Sequence, residues 1–540
     1  MVFLTIVSLA VYVFKVQSIL QLPDQSVTTN KEKLVACLLN VNPSTAHSPF
    51  ATRFARAQPH RLDASIASEL KTNPMEDATL SSRGITVDSE LKEAMANMLH
   101  ARKPGLAEKK LFANDPSCKV WEDFSMYDSL SPIENLQSAA AIASKYMPKP
   151  FDGLGGALKA IEYWAKHAAR TSFFVTNAVA GVAAFQFLGK GSKDQPGVDI
   201  GGGTEGGEIG LASGIQLVSS QILESMMVFE QDWQRIVKGK YAMPWDMADG
   251  HRQTSLPYAL QQSARVIEET MGILERRTRA SPEDRTIWME AADNIYPEYY
   301  KTNYHYQTDG WMSRKSADVY ETSTEVIFFG RQDAQQRTTL IPLHGLKRAD
   351  GKPLKILEVA CGTGRFGTFL RDNHPTADIT YVDLSPFYLE AARENDDYWR
   401  KFQSERNGGK SFAPAKFVQA AAEALPFDAE SFDVVVCVYL FHEMPEGPRA
   451  KAAAEMARVL ASGGTLVLSD SIQRGDRPAL DDMLVGFENL NEPHYRNYIQ
   501  TSLASLFTPH GLRCKDKYLA CTSKTLSFTK PEAKQVHAIR

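Results

Sequence analysis

The segment Ile356-Leu357-Glu358-Val359-Ala360-Cys361-Gly362-Thr363-Gly364-Arg365-Phe366 decides how the rest of the chain is read. It spells an apolar strand, a glycine turn and the first residues of a helix. A carboxylate, Glu358, closes the strand four residues before Gly362. Glycine lets a backbone approach a ligand where any Cβ would collide. The helix N-terminus beyond the turn carries partial positive charge and suits a polar ligand. Two glycines also serve plain strand-helix packing, so the turn takes its meaning from the residues downstream.

A second apolar strand, Ile379-Thr380-Tyr381-Val382-Asp383-Leu384-Ser385, ends in an acid. In doubly wound sheets an acid there accepts hydrogen bonds from two ribose hydroxyls. The other reading of Asp383 is a cap for the helix starting at Pro386. Ala422-Glu423-Ala424-Leu425-Pro426-Phe427 comes next, then Ser431-Phe432-Asp433-Val434-Val435-Val436-Cys437-Val438-Tyr439. That second run is β-branched and of strand length, as expected of a strand buried on both faces. Leu440-Phe441-His442-Glu443-Met444 succeeds it. A helix over Arg449 to Leu460 is expected to stop at Ser462-Gly463-Gly464, before a strand over Thr465 to Asp470. Alternating strands and helices predict an α/β fold, a doubly wound Rossmann-like sheet at the C-terminus behind a mainly α-helical region.

This order of motifs resembles the class I S-adenosylmethionine-dependent methyltransferases, in particular the branch of ubiquinone and menaquinone C-methylases. The resemblance covers Leu354 to Phe528, about a third of the chain. It implies S-adenosylmethionine as cofactor. Glu358 and the turn Ala360, Gly362, Thr363 and Gly364 would hold the methionine end. Asp383 would hold the ribose and Leu384 would lie on the adenine. Ala422 and Glu423 would border the adenine edge, and Val438, Tyr439 and Leu440 would floor the methyl site. The sequence departs from the pattern at two places. Ala360 stands where the family often has glycine, which a negative φ would tolerate. Ala421 stands where an acid commonly meets the adenine amino group.

His442 follows the floor strand at the carboxyl edge, where ligands bind in such sheets. With Glu443 it is the candidate catalytic pair, His442 as base or acceptor-orienting group. The run Tyr299 to Trp311 is aromatic, polar and turn-forming together. Tyr304, Tyr306, Trp311 and Tyr320 are the candidate acceptor walls, with His494, Tyr495 and Arg496 as a second wall. Arg496 has two readings, an acceptor-carboxylate partner or a surface ion pair. The segment Met243 to Leu343 resembles an extension found before the methyltransferase domain in plant, algal and cyanobacterial proteins, where it would act as a lid.

The chain has 540 residues and a formal net charge of −4. Its length exceeds a single domain, and its charge offers no reason to expect nucleic-acid binding. The six cysteines form no CxxC pair, so neither zinc nor any other metal is expected, nor a disulfide framework. The expected division is a targeting segment over 1–70, a helical region over 71–298, an aromatic lid and linker helix over 299–345, and the methyltransferase domain over 346–540.

Met1 to Phe14 is apolar, and Lys33 to Leu62 lacks acids while carrying Arg53, Arg56 and Arg61. Together they resemble a signal followed by a transit peptide, so a plastid or other organelle is expected, and otherwise the cytoplasm. Thr171 to Leu188 reads either as a buried helix or as a membrane-seated hairpin making peripheral contact. Gly197 to Gly214 reads as a flexible insertion, since no phosphate-loop lysine comes after it. Ile222 to Val237 and Tyr258 to Arg277 read as amphipathic helices. The expected partner is a small-molecule acceptor: a thioether acid such as a methylthio-hydroxybutyrate, or a quinone, phenol or lipid. The competing reading is a non-catalytic cofactor-binding assembly factor.

Overall fold

A computed structural model describes residues 112–124, 132–147, 153–188, 211–277, 296–481 and 483–532. The targeting segment read over 1–70 and most of the glycine-rich insertion lie outside these residues. Eight strands form one sheet in the order β1-β7-β8-β6-β5-β2-β3-β4. They are β1 (Ala113–Asn114), β2 (Lys355–Val359), β3 (Asp378–Asp383), β4 (Lys416–Gln419), β5 (Phe432–Val438), β6 (Leu460–Ser471), β7 (Arg513–Ala520) and β8 (Ser523–Thr529).

β2 to β6 run parallel, β8 lies antiparallel between β6 and β7, and β1 pairs parallel with β7. The parallel block is legible in its apolar runs. Ile356, Leu357 and Val359 are fully buried in β2, and so are Val435 and Val436 in β5. Such strands are covered on both faces. β2 neighbours β3 on one side and β5 on the other, so the chain reverses direction of winding there. That switch point is where a crevice opens beyond the carboxyl ends of the strands.

The α-helices of eight residues or more among the described residues are α1 (Pro116–Asp123), α2 (Pro132–Tyr146), α3 (Gly153–Leu188), α4 (Leu211–Val237), α5 (Leu256–Arg277), α6 (Arg314–Ile327), α7 (Arg365–Asn373), α8 (Pro386–Arg406) and α9 (Glu446–Val459). α4 and α5 contain the two amphipathic helices read from sequence. Thr171 to Leu188 is the second half of the 36-residue α3, and Phe174 and Val175 in it are buried. Among the described residues no helix is long and apolar enough to cross a membrane.

Two boundaries differ from the sequence reading. The final residues of the glycine-rich segment, from Leu211, already belong to α4. Gly463 and Gly464 do not stop a helix. α9 ends at Val459, and both glycines sit in a bulge of β6, where Phe432 faces Leu460 but Val434 faces Thr465. A Cβ on Gly464 would come within 2.7 Å of the Ala461 carbonyl and 2.9 Å of that of Asp433. Glycine there permits a close approach of two strands.

All the described residues fall in one compact unit, and buried charges tie the helical extension to the sheet. Asp232 of α4 accepts from Tyr163 (2.6 Å), Tyr241 (2.7 Å) and both sides of the Arg337 guanidinium (3.0 and 2.7 Å). Arg170 of α3 pairs with Asp246, Glu325 and Asp333, and Arg365 at the start of α7 pairs with Asp246 and Asp333. Removing one member of such a network strands its partners in low dielectric. The extension is thereby coupled to the helix that leaves the glycine turn.

Candidate active site

The glycine turn closes as read. Gly362 has φ +57 and Gly364 φ +71. Their uses differ: a Cβ on Gly364 would press within 3.0 Å of Ala392, while one on Gly362 would meet nothing within 4 Å. Gly364 serves packing against α8, and Gly362 borders free space. Ala360 has φ +56, not the negative value under which alanine is unstrained. A left-handed alanine costs roughly 1–2 kcal/mol.

Asp383 holds the turn in shape. Its Oδ2 accepts from the Gly362 N–H at 2.8 Å and its Oδ1 from the Ser385 N–H at 2.9 Å. The α8 cap is Ser385, whose Oγ accepts from the Tyr388 N–H at 3.2 Å. Each Asp383 oxygen keeps a lone pair for a further donor. Glu358 is 2% exposed, and its Oε2 has no hydrogen-bond partner. Burial, with Asp383 adding to it, pushes its carboxyl well above the ordinary range. A buried, unpaired carboxylate oxygen beside an open glycine is an acceptor for a cationic or N–H-bearing ligand. S-adenosylmethionine brings an ammonium, a sulfonium and a ribose, so these residues fit it.

The aromatic segment before the sheet covers this end. Trp311 packs between Tyr300 (4.9 Å) and Tyr304 (5.0 Å), and this cluster includes Leu384 and Ala421. Its carbonyl accepts from Ser385 Oγ. Tyr299 donates to Glu423 Oε1 at 2.9 Å. Ala422 is buried beside them. α6 starts at its Ser313 cap and grips the turn through Glu321. The Glu321 carboxylate accepts from Thr363 Oγ1 (2.9 Å) and Asn395 Nδ2 (2.6 Å), and Asn395 also donates to the Thr363 carbonyl. Tyr320 of α6 rests edge-on against Tyr388 at 5.3 Å. Burial and the charges of Glu443 and Asp383 raise its phenol, so its hydroxyl feels both ends of the cleft.

Beyond β5 the chain turns through Tyr439, which has φ +55, into Phe441–Glu443. Val438 is half-buried, and the Tyr439 ring stacks on Phe328 at 6.3 Å. Asp470, fully buried at the end of β6, receives the Phe441 N–H on Oδ2 (2.7 Å) and His442 Nδ1 on Oδ1 (2.5 Å). Arg449 braces the same turn from beneath, donating to the carbonyls of Phe441 (3.0 Å) and Met444 (2.6 Å). His442 Nε2 lies 3.4 Å from Glu443 Oε1. His305 enters from the aromatic segment, its Nε2 3.6 Å from the same Glu443 oxygen and its Nδ1 3.0 Å from Glu492 Oε1.

His305, His442, Glu443, Asp470 and Glu492 thus converge from separate stretches of chain. Burial opposes the charge on His442, but Asp470 and Glu443 hold its pKa well above the usual value. Burial pushes Glu492 up to about 7, against the pull of His305. Burial acts the same way on Glu443, but the His442 and His305 imidazoles outweigh it and hold that carboxyl down to about 2. His305 and Tyr306 both carry left-handed backbone, φ +55 and +56. Strain of that kind persists where packing over-determines it.

Of the acceptor walls read from sequence, Tyr304 is fully buried, its hydroxyl within hydrogen-bond distance of the Glu443 (2.8 Å) and Tyr299 (2.9 Å) carbonyls. Tyr306 instead reaches the Asn489 carbonyl at 3.3 Å, with Arg277 over its ring. Tyr495 lies 6.2 Å from the His442 ring, its hydroxyl 2.6 Å from Ser471 Oγ. His494 is half-buried at the head of that turn. Arg496 pairs with Glu488 at 2.6 Å and is half exposed, the surface ion pair that was one of its two readings. Its side chain points away because the buried face of that turn is taken by Tyr495 and Tyr498. His305, Glu492, Glu321 and Arg449 are marked by no local sequence pattern, whereas Asp470 ends the strand run read from Thr465.

Residues 356–464 match the family described as "Methyltransferase domain". The C-terminal part of this chain is a class I S-adenosylmethionine-dependent methyltransferase domain. It is 31% identical over 157 residues to a demethylmenaquinone methyltransferase of Thermus thermophilus, covering 29% of this chain and 63% of that one. It is 37% identical over 117 residues to a phthiotriol/phenolphthiotriol dimycocerosates methyltransferase of Mycobacterium leprae, covering 22% and 37%. This chain therefore spans less than two thirds of either relative. Among solved structures, YcgJ of Bacillus subtilis is 26% identical, with 30% of this chain and 63% of that one covered and a TM-score of 0.23. The methyltransferase domain implies S-adenosylmethionine as its cofactor.

Proposed function

We propose that the whole protein is an S-adenosylmethionine-dependent methyltransferase acting on a small-molecule acceptor, with its helical extension as a fixed roof over the cleft. One observation carries this reading. The unpaired Glu358 oxygen and the Asp383–Gly362 bond stand at one end of the cleft, and the buried His442–Asp470 pair stands at the other. When bound, S-adenosylmethionine supplies an electrophilic methyl group on a sulfonium, open to in-line displacement. The chain aligns the two reactants and excludes water. Trp311, Tyr300 and Tyr304 provide the exclusion. His442, oriented by Asp470, faces the acceptor.

Within this reading we favour a thioether acid as acceptor over a quinol, phenol or lipid. A thioether loses no proton on methylation and becomes a sulfonium. Buried carboxylates at Glu443 and Glu492, close to the fully buried Tyr304, suit a product that gains positive charge. The relatives named for quinone and lipid substrates keep those acceptors as the alternatives.

Calorimetry of S-adenosylmethionine against the full chain is the first test. Binding of roughly micromolar affinity that Asp383→Ala weakens by about 100-fold is expected, and no binding by the wild type overturns the reading. Labelled methyl donor offered with methylthio-hydroxybutyrate, a quinol and a phospholipid then separates the acceptors. Label entering only the quinol or the lipid overturns the thioether assignment.

A further inference from the structure

The geometry points to a divalent transition-metal site at the acceptor end of the cleft, formed by His305 Nε2, His442 Nε2 and Glu443 Oε1. The inference rests on the methyltransferase reading only for the ion's role, not for its existence. The three ligand atoms lie within 4.8 Å of one another. The two imidazole nitrogens stand 3.6 and 3.4 Å from the shared carboxylate oxygen. Metal–nitrogen and metal–oxygen bonds of about 2.0–2.2 Å place tetrahedral ligand atoms about 3.3–3.6 Å apart. The two separations from Glu443 Oε1 are long for direct hydrogen bonds and fall in the range of donors that share an ion, while the two imidazoles lie within 4.8 Å of each other.

The surroundings repeat the pattern. Asp470 Oδ1 is hydrogen-bonded to His442 Nδ1 at 2.5 Å, and Glu492 Oε1 lies 3.0 Å from His305 Nδ1 as a charge neighbour without hydrogen-bond alignment. A carboxylate on the outer nitrogen is how proteins orient metal-bound histidines and select the tautomer that offers Nε2. Glu443 Oε2 and Glu492 Oε2 are buried and lack hydrogen-bond partners, their side chains 8% and 1% exposed. Unpaired carboxylate oxygens at that depth are costly unless a proton or a nearby positive charge offsets them, and an ion on Glu443 Oε1 would place such a charge beside both side chains. Three carboxylates against two imidazoles also leave the pocket with excess negative charge.

The donor set selects the ion. Two imidazoles and a carboxylate suit Zn²⁺ and its first-row neighbours, whereas Mg²⁺ and Ca²⁺ prefer all-oxygen shells. Three protein ligands leave at least one position open. An acceptor carrying an anionic oxygen would fill it, and the ion, rather than an arginine, would anchor that oxygen. This takes over the anchoring role expected of Arg496. No CxxC or His-x-x-x-His spacing announces the site, because its ligands come from the aromatic segment and from the turn after β5.

The test uses the full chain, stripped with chelator and dialysed. Zn²⁺ titration by calorimetry is expected to show one tight site. His305→Ala and Glu443→Gln should each weaken it by about 100-fold, and Asp470→Asn by about 10-fold or more. S-adenosylmethionine affinity, measured on the same samples, should stay within about twofold. Co²⁺ substitution of the wild type reads the site without any variant: X-ray absorption should show two imidazole nitrogens in a low-coordinate nitrogen/oxygen shell. Absence of tight Zn²⁺ binding, Zn²⁺ binding indifferent to these substitutions, or a Co²⁺ shell without imidazole would each overturn the site. Loss of cofactor binding with Zn²⁺ binding intact would sink the methyltransferase reading and leave the metal site standing.

Discussion

The two ends of the cleft are built on opposite plans. The cofactor end is assembled from one continuous strand-turn-helix and the strand beside it. Its defining bond, Asp383 to the Gly362 N–H, joins residues 21 positions apart. The acceptor end gathers His305, Glu443, Asp470 and Glu492 around His442. There the bond from Tyr304 to the Glu443 carbonyl joins residues 139 positions apart. A local site depends on backbone shape, and a dispersed site depends on every element that presents a member to it. The first tolerates change far away, and the second does not.

Asp383→Ala tests this contrast most severely. It removes both a turn bond and the ribose acceptor, each a charged hydrogen bond of about 1.5–3 kcal/mol. S-adenosylmethionine affinity should fall by about 100-fold in calorimetry. His442→Ala should do the reverse, cutting turnover by about 10²-fold through lost positioning of the acceptor while cofactor affinity moves less than about twofold. A large drop in cofactor affinity there would show the two ends to be one site. Glu321→Ala probes the join between roof and turn. It strands Thr363 Oγ1 and Asn395, an effect of about 1–3 kcal/mol, and should raise the cofactor Kd several-fold with turnover at saturation retained.

Acid should act on the support shared by both ends. Burial lowers His167 and His251 to about 3, against an ordinary 6.5. The unfolded chain therefore binds protons that the folded chain refuses. Stability from these residues is complete above about pH 6.5 and is lost as pH falls toward 3. Thermal melts should show it, and His167→Phe should flatten the acid limb. The smallest change is Ala360→Gly. It relieves a left-handed alanine and, net of the unfolded-state entropy of glycine, should stabilise by about 1 kcal/mol. A calorimetric melting temperature raised by a degree or two, with cofactor affinity unchanged, would confine that strain to the backbone.

The same contrast separates what is legible in the sequence from what is not. β2, β3, β5 and β6 announce themselves because parallel strands buried on both faces write continuous apolar runs. Glu358 and Asp383 stand at their ends, so position along the chain predicts position at the crevice. His442 is legible for the same reason. His305 and Glu492 escape notice because their neighbours in sequence are not their neighbours in space. Arg496 shows its charge in the sequence but not its partner, which in the fold is Glu488. Ala360 misleads because φ follows from the closure of the turn, not from the residue type. The Gly463-Gly464 pair reads as a helix stop in one dimension and is a bulge between strands in three.

The two-residue β1 has a consequence far from chemistry. Ala113 and Asn114 lie along the outer side of β7, and Asp115 donates its N–H to the Lys517 carbonyl at 2.9 Å. Cys118 and Ser117 of α1 also meet β7 backbone, at Lys517 and Leu519. This short piece shields part of an open sheet margin, which would otherwise be free to recruit strands from other molecules. Cutting the chain just before Phe112 should therefore leave the margin shielded, whereas cutting just after Phe124 should yield protein that self-associates. The solubility of the whole molecule is set in part by a few residues that never approach the cleft.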